Sequence, residues 1–397
     1  MTQVRVDEQV SAYHFSGQSI NDYYPLLCEK LMVYGDSASP RGLETRELHP
    51  TTVHVYNPRR RLITSHGRMM NLPFALAEAV QIIGGLNDPQ MLKHYNSQII
   101  KIQGDPPVGW TDEFRAWEDQ VTRFNAGYGE RLRRFEIGRR IHDNTPIVVD
   151  QLWGVIQTLH ADPDSRQANI VISHPGYDSF VQETKDRACN VYAHVMIRDG
   201  KLDWTHVIRS NDVVWGLPYN FVQWLHVMEW VATTLHVPLG KFFLMQDSLH
   251  VYADKYIECT NIRPFDMYEY IEEPLLGMDI LLGLSHDNWF KENVIAYEDW
   301  IRTGGPMALD PGPESNYWFQ VVKVFNSYAA FKQKRDQKAF ELMPDYPELR
   351  WPLMRNYVVW RWGKENAETK LSALHGDVYT ELRQAGIEGK DVAQWLA

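Results

Sequence analysis

Cysteine is scarce in this 397-residue chain, which holds only Cys28, Cys189 and Cys259, widely spaced. An odd, sparse set gives no disulfide framework and no pair of thiols at zinc-ligand spacing, and it suits a reducing compartment. Net positive charge is also lacking. The formal charge is -11, a poor start for duplex binding, which needs basic surface to release counterions. No direct nucleic-acid binding is therefore expected, although a local arginine cluster can still hold one phosphate within an acidic whole. No apolar run approaches a membrane span. The opening residues Met1 to Gln9 carry no apolar stretch of a signal peptide. These absences lead us to expect no membrane association and a cytoplasmic setting, that of a phage-infected host included. The chain also lacks internal repeats, a Gly-rich phosphate cradle and the His/Asp/Glu spacing of a metal site, so no metal is expected.

What is present is an ordinary apolar share and enough length for one large domain with an extension, or for two domains. Asn21 to Tyr34 reads as a helix. Val53 to Tyr56 and Arg61 to Thr64 read as a hairpin around Asn57-Pro58. Leu72 to Ile83 reads as a largely buried helix stopped at Gly84-Gly85. Glu113 to Arg134 reads as partly helical, and Pro146 to His160 as a helix. Short β-branched runs follow at Asn169–Ser173, Val191–Ile197 and Leu202–Ile208, the last two joined by the turn Arg198-Asp-Gly-Lys201. Pro218 opens a helix to about Leu235 that is apolar on nearly every face, as a central buried helix would be. Phe242 to Met245 returns to strand. The Gly- and Pro-rich run Arg302 to Ser315 reads as a linker. It separates a catalytic domain over 1–300 from a helical C-terminal extension over 316–397, with helices expected at 317–334, 366–374 and 377–385.

Several residues could carry chemistry. Cys189 follows the charged stretch Glu183-Thr-Lys-Asp-Arg-Ala188 and opens a strand. A thiolate needs nearby cations, and Arg187 and Arg209 are candidates, whereas a small buried core residue is the commoner fate of a lone Cys. Arg209-Ser210 offers forked donors and a hydroxyl to a phosphate, or a surface ion pair. In Gly216-Leu-Pro-Tyr-Asn220 the glycine permits close backbone approach. Asn220 presents one donor and one acceptor, fit for the N3-H and O4 of uracil or for local capping. Glu78 lies in the apolar run Leu72 to Ile83, where periodicity favours an exposed stripe; buried, it would hold a raised pKa and could move protons near neutrality. Arg41 sits in the turn-rich Asp36 to Gly42. His250 and Tyr252 alternate on an extended segment and face one side; both can bond a sugar hydroxyl.

Taken in order, Cys189, Arg209-Ser-Asn-Asp-Val-Val-Trp-Gly-Leu-Pro-Tyr-Asn220 and Asp247-Ser-Leu-His-Val-Tyr252 closely resemble the thymidylate synthase superfamily, over about Asn21 to Tyr256. The wording looks more like its pyrimidine-nucleotide hydroxymethylase branch. The resemblance implies an α/β (α+β) fold with a large bent mixed sheet, and a homodimer of sheets packed back to back. It implies that Cys189 attacks C6 of the pyrimidine and that Glu78 and Tyr128 relay protons. Arg41, Arg209 and Ser210 would hold the 5′-phosphate, joined by Arg166 of the other subunit. Asn220 would read the base, His250 and Tyr252 the ribose, and Asp212 and Gly216 the folate. The one-carbon donor would be 5,10-methylenetetrahydrofolate.

The sequence departs from the synthases where it has Asn190, His194 and Val195 after the cysteine, Gln167 beside Arg166, and Asp247-Ser248 before the His-x-Tyr. No Trp aligns near Ile100 or Gln103, where synthases place an aromatic shield over the reactive methylene. Loss of that shield should admit water. The expected activity is folate-dependent C5 hydroxymethylation of dUMP. A divergent thymidylate synthase, a dCMP or CMP hydroxymethylase and a non-catalytic nucleotide-binding homologue are the alternatives.

Overall fold

The computed structural model describes residues 13–103, 121–179, 184–271, 275–278, 286–304 and 316–362. In chain order the strands are β1 (Tyr13–Gly17), β2 (Asp36–Ala38), β3 (Thr45–Leu48), β4 (Thr51–Val55), β5 (Phe135–Arg139), β6 (Pro146–Val149), β7 (Asn169–Val171), β8 (Asn190–Arg198), β9 (Lys201–Ile208), β10 (Asn211–Asp212), β11 (Leu239–Gln246) and β12 (Leu249–Tyr252). The largest sheet runs β1-β4-β11-β9-β8-β7 and is mixed: β1 is parallel to β4 and β9 to β11, while the other pairs are antiparallel. A smaller sheet runs β10-β12-β3-β2, and β5 pairs with β6. The chain is thus a mixed α/β protein, as the resemblance implies.

Alternation explains the layering. Along β9, Leu202, Trp204, His206 and Ile208 are buried and the residues between them are half-exposed. The buried face meets the central helix Gly216–Thr234, where Trp224 lies 4.2 Å from the His206 ring and Phe221 lies 5.7 Å from Phe242. The opposite face leaves His54, Tyr192, His194 and Phe243 half-exposed and Met245 exposed. Asp199 and Gly200 adopt the positive φ values, 51° and 70°, that a two-residue hairpin turn demands.

The helix Leu72–Gly84 begins where the Asn71 side chain accepts from the Phe74 N–H, and it ends at Gly85, left-handed with φ 73°. Every residue from Leu72 to Ile83 is buried, Glu78 among them, so the exposed stripe that periodicity favoured does not exist. Other expectations need correction. The Arg61–Thr64 run is not a strand; β4 pairs with β1 and β11 instead of forming a local hairpin. Pro146–Val149 is strand β6, and the helix starts only at Gln151, after Asp150 caps it. Among the described residues of the Glu113–Arg134 stretch the helix covers Tyr128–Arg133; residues 113–120 lie outside those described.

The expected break between catalytic domain and extension does not divide the core. Helix Tyr317–Lys332 buries Trp318 completely against Trp230 and Phe290, inside the same hydrophobic cluster as the central helix. Truncating such a side chain costs about 3–5 kcal/mol. The helix Pro347–Trp362 reaches further still. Asn356 Oδ1 accepts from the Leu72 N–H at 3.0 Å, and its Nδ2 donates to the Met70 carbonyl at 2.7 Å, closing the N-terminus of the Leu72 helix. The helices expected at 366–374 and 377–385 lie outside the described residues.

Candidate active site

One cavity of about 1050 Å³ opens where the strand ends, the central helix and the Leu72 helix converge. Its walls carry Cys189, Glu78, Tyr128, Asn220, Arg41, Arg209, Ser210, His250, Tyr252, Asp212 and Gly216. All of these were picked out in the sequence. The volume lies at the top of the range of roughly 300–1000 Å³ usual for small-ligand sites, which is room for more than one small ligand.

Cys189 immediately precedes β8. Burial pushes its thiol up, Arg209 pulls it down, Asp186 adds to the rise, and Arg41 opposes it. The Cys189 N–H donates to the Tyr128 hydroxyl at 3.2 Å. Burial also raises the Tyr128 phenol, so it stays protonated. Glu78 stands in the same wall. Burial holds its carboxyl at about 8, with one opposing hydrogen bond to Gln223. Its Oε2 has no hydrogen-bond partner in the protein. No cation offsets the burial, so the carboxyl stays largely protonated near neutrality and is not half of an ion pair. A second pocket of about 210 Å³ is lined by Glu78, Tyr128, Cys189 and Gln223, which also line the first, and by Gln81.

The cavity is cationic on one side. Arg41, Lys185, Arg187 and Arg209 line it within an acidic protein. Arg41 is left-handed, with φ 57°, and its guanidinium reaches the Tyr252 hydroxyl at 3.4 Å. Arg209 is anchored by its Nε to the Ala188 carbonyl at 2.9 Å, which leaves part of its fork to an anion. His250 and Tyr252 pack edge to face, 5.2 Å apart, on β12. Burial lowers His250 and Asp212 opposes that shift, while burial raises the Asp212 carboxyl. Asp212 Oδ1 accepts from the Val214 and Trp215 N–H groups at 2.7 and 2.8 Å, so one of its oxygens is committed to the turn that leads into the central helix.

Asn220 is held by other amides. Its Oδ1 accepts from Asn190 Nδ2 at 3.4 Å, and its Nδ2 donates to Asn211 Oδ1 at 3.0 Å. Gly216 makes this possible: a Cβ there would stand 2.5 Å from Asn211 Oδ1. Asn190 owes its inward aim to a bulge. The β8–β9 register shifts between Asn190 and Tyr192, so Asn190 shares the buried face with Ala193 and Val195 instead of the outer face with Tyr192 and His194.

Two named residues do not line this cavity, one of them, Arg166, being expected at the other subunit's site. Ile100 is fully buried, and its neighbour Ile99 lines the cavity. Arg166 is exposed, away from this cavity, with its carbonyl accepting from His194 at 3.1 Å. Sequence reasoning missed Asn211, Gln223, Glu47, Trp215 and Tyr219, all on the wall. Trp215, Tyr219 and Asn211 sat inside the quoted motif; Gln223, one turn after Asn220, had only its polarity in a buried helix to betray it. Among the described residues no helix is long and apolar enough to cross a membrane, and no group of three or more His, Cys, Asp or Glu could hold a metal ion.

Comparison with known proteins agrees with this geometry. The thymidylate synthase family model matches residues 22–262. The deoxyuridylate hydroxymethyltransferase of Bacillus phage SP01 is 36% identical over 248 residues, 62% of this chain and 60% of that protein. The protein of the same name from Pseudomonas phage M6 is 28% identical over 210 residues, 52% of this chain and 51% of that one. A putative thymidylate synthase of Methanothermobacter marburgensis is 25% identical over 253 residues, covering 63% of this chain and 98% of that protein. The matched region thus spans between 51% and 60% of the phage relatives' length.

Proposed function

The chain belongs to the thymidylate synthase family, and on that footing we propose that it is a deoxyuridylate hydroxymethyltransferase that converts dUMP to 5-hydroxymethyl-dUMP. Arg209, Ser210 and Arg41 receive the 5′-phosphate, completed by Arg166 of the partner subunit. His250 and Tyr252 receive the ribose, and Asn220 the base. The homodimer forms through the half-exposed sheet face that carries His54, Tyr192, His194 and Phe243. Methylenetetrahydrofolate supplies a one-carbon unit at the oxidation level of formaldehyde. Room for it beside a nucleotide, with the flat walls of Trp215 and Tyr219, fits such a ligand.

Cys189 Sγ bonds to C6 of the pyrimidine, and C5 becomes nucleophilic. Arg209 and Arg41 favour the thiolate that this step consumes. Once the one-carbon unit is bonded to C5, loss of the C5 proton would break its carbon–nitrogen bond to the folate, release tetrahydrofolate and leave an exocyclic methylene on the base. Water adds its oxygen to that methylene, and the Cys189–C6 bond breaks. Glu78, protonated near neutrality, gives its proton while the unit is transferred and takes one back from the water. The observation that supports water over hydride is the second pocket of about 210 Å³ lined by Glu78, Tyr128 and Cys189, large enough for several waters beside those residues. The lack of a Trp at Ile100 or Gln103 supports the same choice. Trp110 and Trp117 lie outside the described residues.

Mass spectrometry of products from dUMP, dCMP and CMP with methylenetetrahydrofolate tests this reading. The nucleotide product of dUMP should gain CH2O, its new hydroxyl should take heavy oxygen from labelled water, and tetrahydrofolate should be the co-product. A gain of CH2 with stoichiometric dihydrofolate makes the chain a thymidylate synthase instead. Preference for dCMP or CMP overturns the base.

A further inference from the structure

Asn220 belongs to a line of buried polar side chains that crosses the sheet. The line begins at Trp204, whose indole N–H can only donate. It donates to His206 Nδ1 at 3.4 Å. His206 is fully buried, and burial holds its ring at about 3, so the ring is neutral. With Nδ1 accepting, Nε2 carries the proton and donates to Asn190 Oδ1 at 2.8 Å. The Asn190 Nδ2 then donates to Asn220 Oδ1, the Asn220 Nδ2 to Asn211 Oδ1, and the Asn211 Nδ2 to Gln246 Oε1 at 2.7 Å. Every amide in the line therefore points one way.

The far end imposes nothing. Gln246 is fully buried, and its Nε2 has no hydrogen-bond partner. If the Gln246, Asn211 and Asn220 amides turned over together, Gln246 Nε2 would donate to Asn211, Asn211 to Asn220, and Asn220 Nδ2 would face Asn190. That reversed line keeps its bonds everywhere except at Asn190, where two NH2 groups would collide while His206 holds the Asn190 oxygen. The direction is thus set at the Trp204 end alone. It matters because the base edge is read by the free lone pair and free hydrogen of Asn220, and turning the amide exchanges them. Uracil presents a donor at position 3 and an acceptor at position 4; cytosine presents the opposite pair.

We propose that Trp204, His206 and Asn190 are positioning residues that fix the orientation of the Asn220 amide and so make the site discriminate between uracil and cytosine nucleotides. This rests on the pyrimidine-nucleotide reading above. The relay gives Asn190, on the inner face only because of the β8 bulge, a task of its own. It also explains a buried His and a buried Gln that the catalytic steps do not use.

The test is the ratio of dissociation constants for dUMP and dCMP, measured by titration calorimetry without folate on the full-length protein. Trp204→Phe keeps the aromatic bulk and removes the donor that sets the direction. Discrimination should fall by about tenfold or more, as when a polar reading group loses its fixed partner. Asn190→Asp offers only acceptors when ionised, so it should draw the Asn220 Nδ2 toward itself and shift the preference toward the other base. A variant that merely loosens the fold weakens both nucleotides together and leaves the ratio alone. If either variant fails to fold, the other decides. A ratio unmoved in the folded variants overturns the relay and leaves the substrate reading standing. A parent that prefers dCMP, with the ratio still moved by the variants, overturns the substrate reading and leaves the relay. A parent that binds neither nucleotide overturns both.

Discussion

Two glutamates, each buried in a helix, meet opposite treatment in this fold. Glu229, on the central helix, accepts from Arg61 at 2.5 Å and from Arg59 at 2.7 Å. Burial raises its carboxyl, but the two guanidiniums outweigh that and hold it below the usual range. Glu78, on the Leu72 helix, has no cation; burial goes unopposed except by one amide, and its carboxyl sits at about 8. The same residue type is thus a fixed charge in one place and a neutral acid near pH 7 in the other. Partner supply, not depth, makes the difference. A buried carboxylate with its charge matched is a structural part; one left uncompensated is a mark of chemistry.

The largest expected effect falls on the cavity side. Cys189→Ser should lower turnover by about 10⁴-fold or more, measured as product formation and as exchange of the C5 hydrogen, while dUMP still binds. Near-normal exchange would remove the thiol from the reaction. Next comes the ion-paired side. Glu229→Gln leaves Arg61 and Arg59 facing a neutral amide in the core. It should cost about 3–5 kcal/mol of stability in denaturant unfolding, with nucleotide affinity of the folded protein unchanged. A loss of affinity without a loss of stability would erase the contrast.

The pH dependence sharpens the comparison, at a smaller scale. Glu78 has its folded pKa raised, from 4.5 to about 8. Its folded state holds the proton more tightly, so its contribution is full below pH 4.5 and is lost as pH climbs to 8. That loss is about 2–4 kcal/mol between pH 5 and pH 8, and Glu78→Gln should not show it. The same variant should slow turnover by about 10²–10⁴-fold. Glu229 runs the other way: its folded pKa is lowered, so its contribution is present above the unfolded value and is lost as pH falls. Unfolding curves at several pH values, for parent and both variants, would show whether the two slopes have opposite signs.

Much of the site was legible because it is local. Arg209 to Asn220 is one strand end, one turn and one helix start, and its chemistry can be read from neighbours in the chain. Burial of Glu78 was not legible, because a helix apolar on every side has no stripe against which to place one polar residue. The false hairpin at Arg61–Thr64 has a similar cause. Arg61, Leu62, Ile63 and Thr64 are buried, and an apolar, β-branched run looks like a strand whether or not a partner strand is there. Glu229 and Arg61 lie 168 residues apart, and His206 and Asn190 meet only through the register of two strands. Such pairs depend on topology, which a single sequence does not spell out. The C-terminal helices misled for a related reason. A Gly- and Pro-rich run looks like a boundary, yet the chain beyond it returns to the same core.

That return sets an order of events during synthesis. The family model's match ends at residue 262, and every residue of the proposed reaction has been made by then. Yet the His226 ring still awaits the Tyr317 hydroxyl, 2.6 Å away in the finished protein, and the backbone at Met70 and Leu72 still awaits Asn356. A ribosome-bound chain that stops short of these helices carries Glu78 on a helix with an open end and a core lacking Trp318. Competence therefore arrives late, with the helices Tyr317–Lys332 and Pro347–Trp362. A chain broken off before them would leave that core and that helix end open to water, the condition in which incomplete folds aggregate or are degraded.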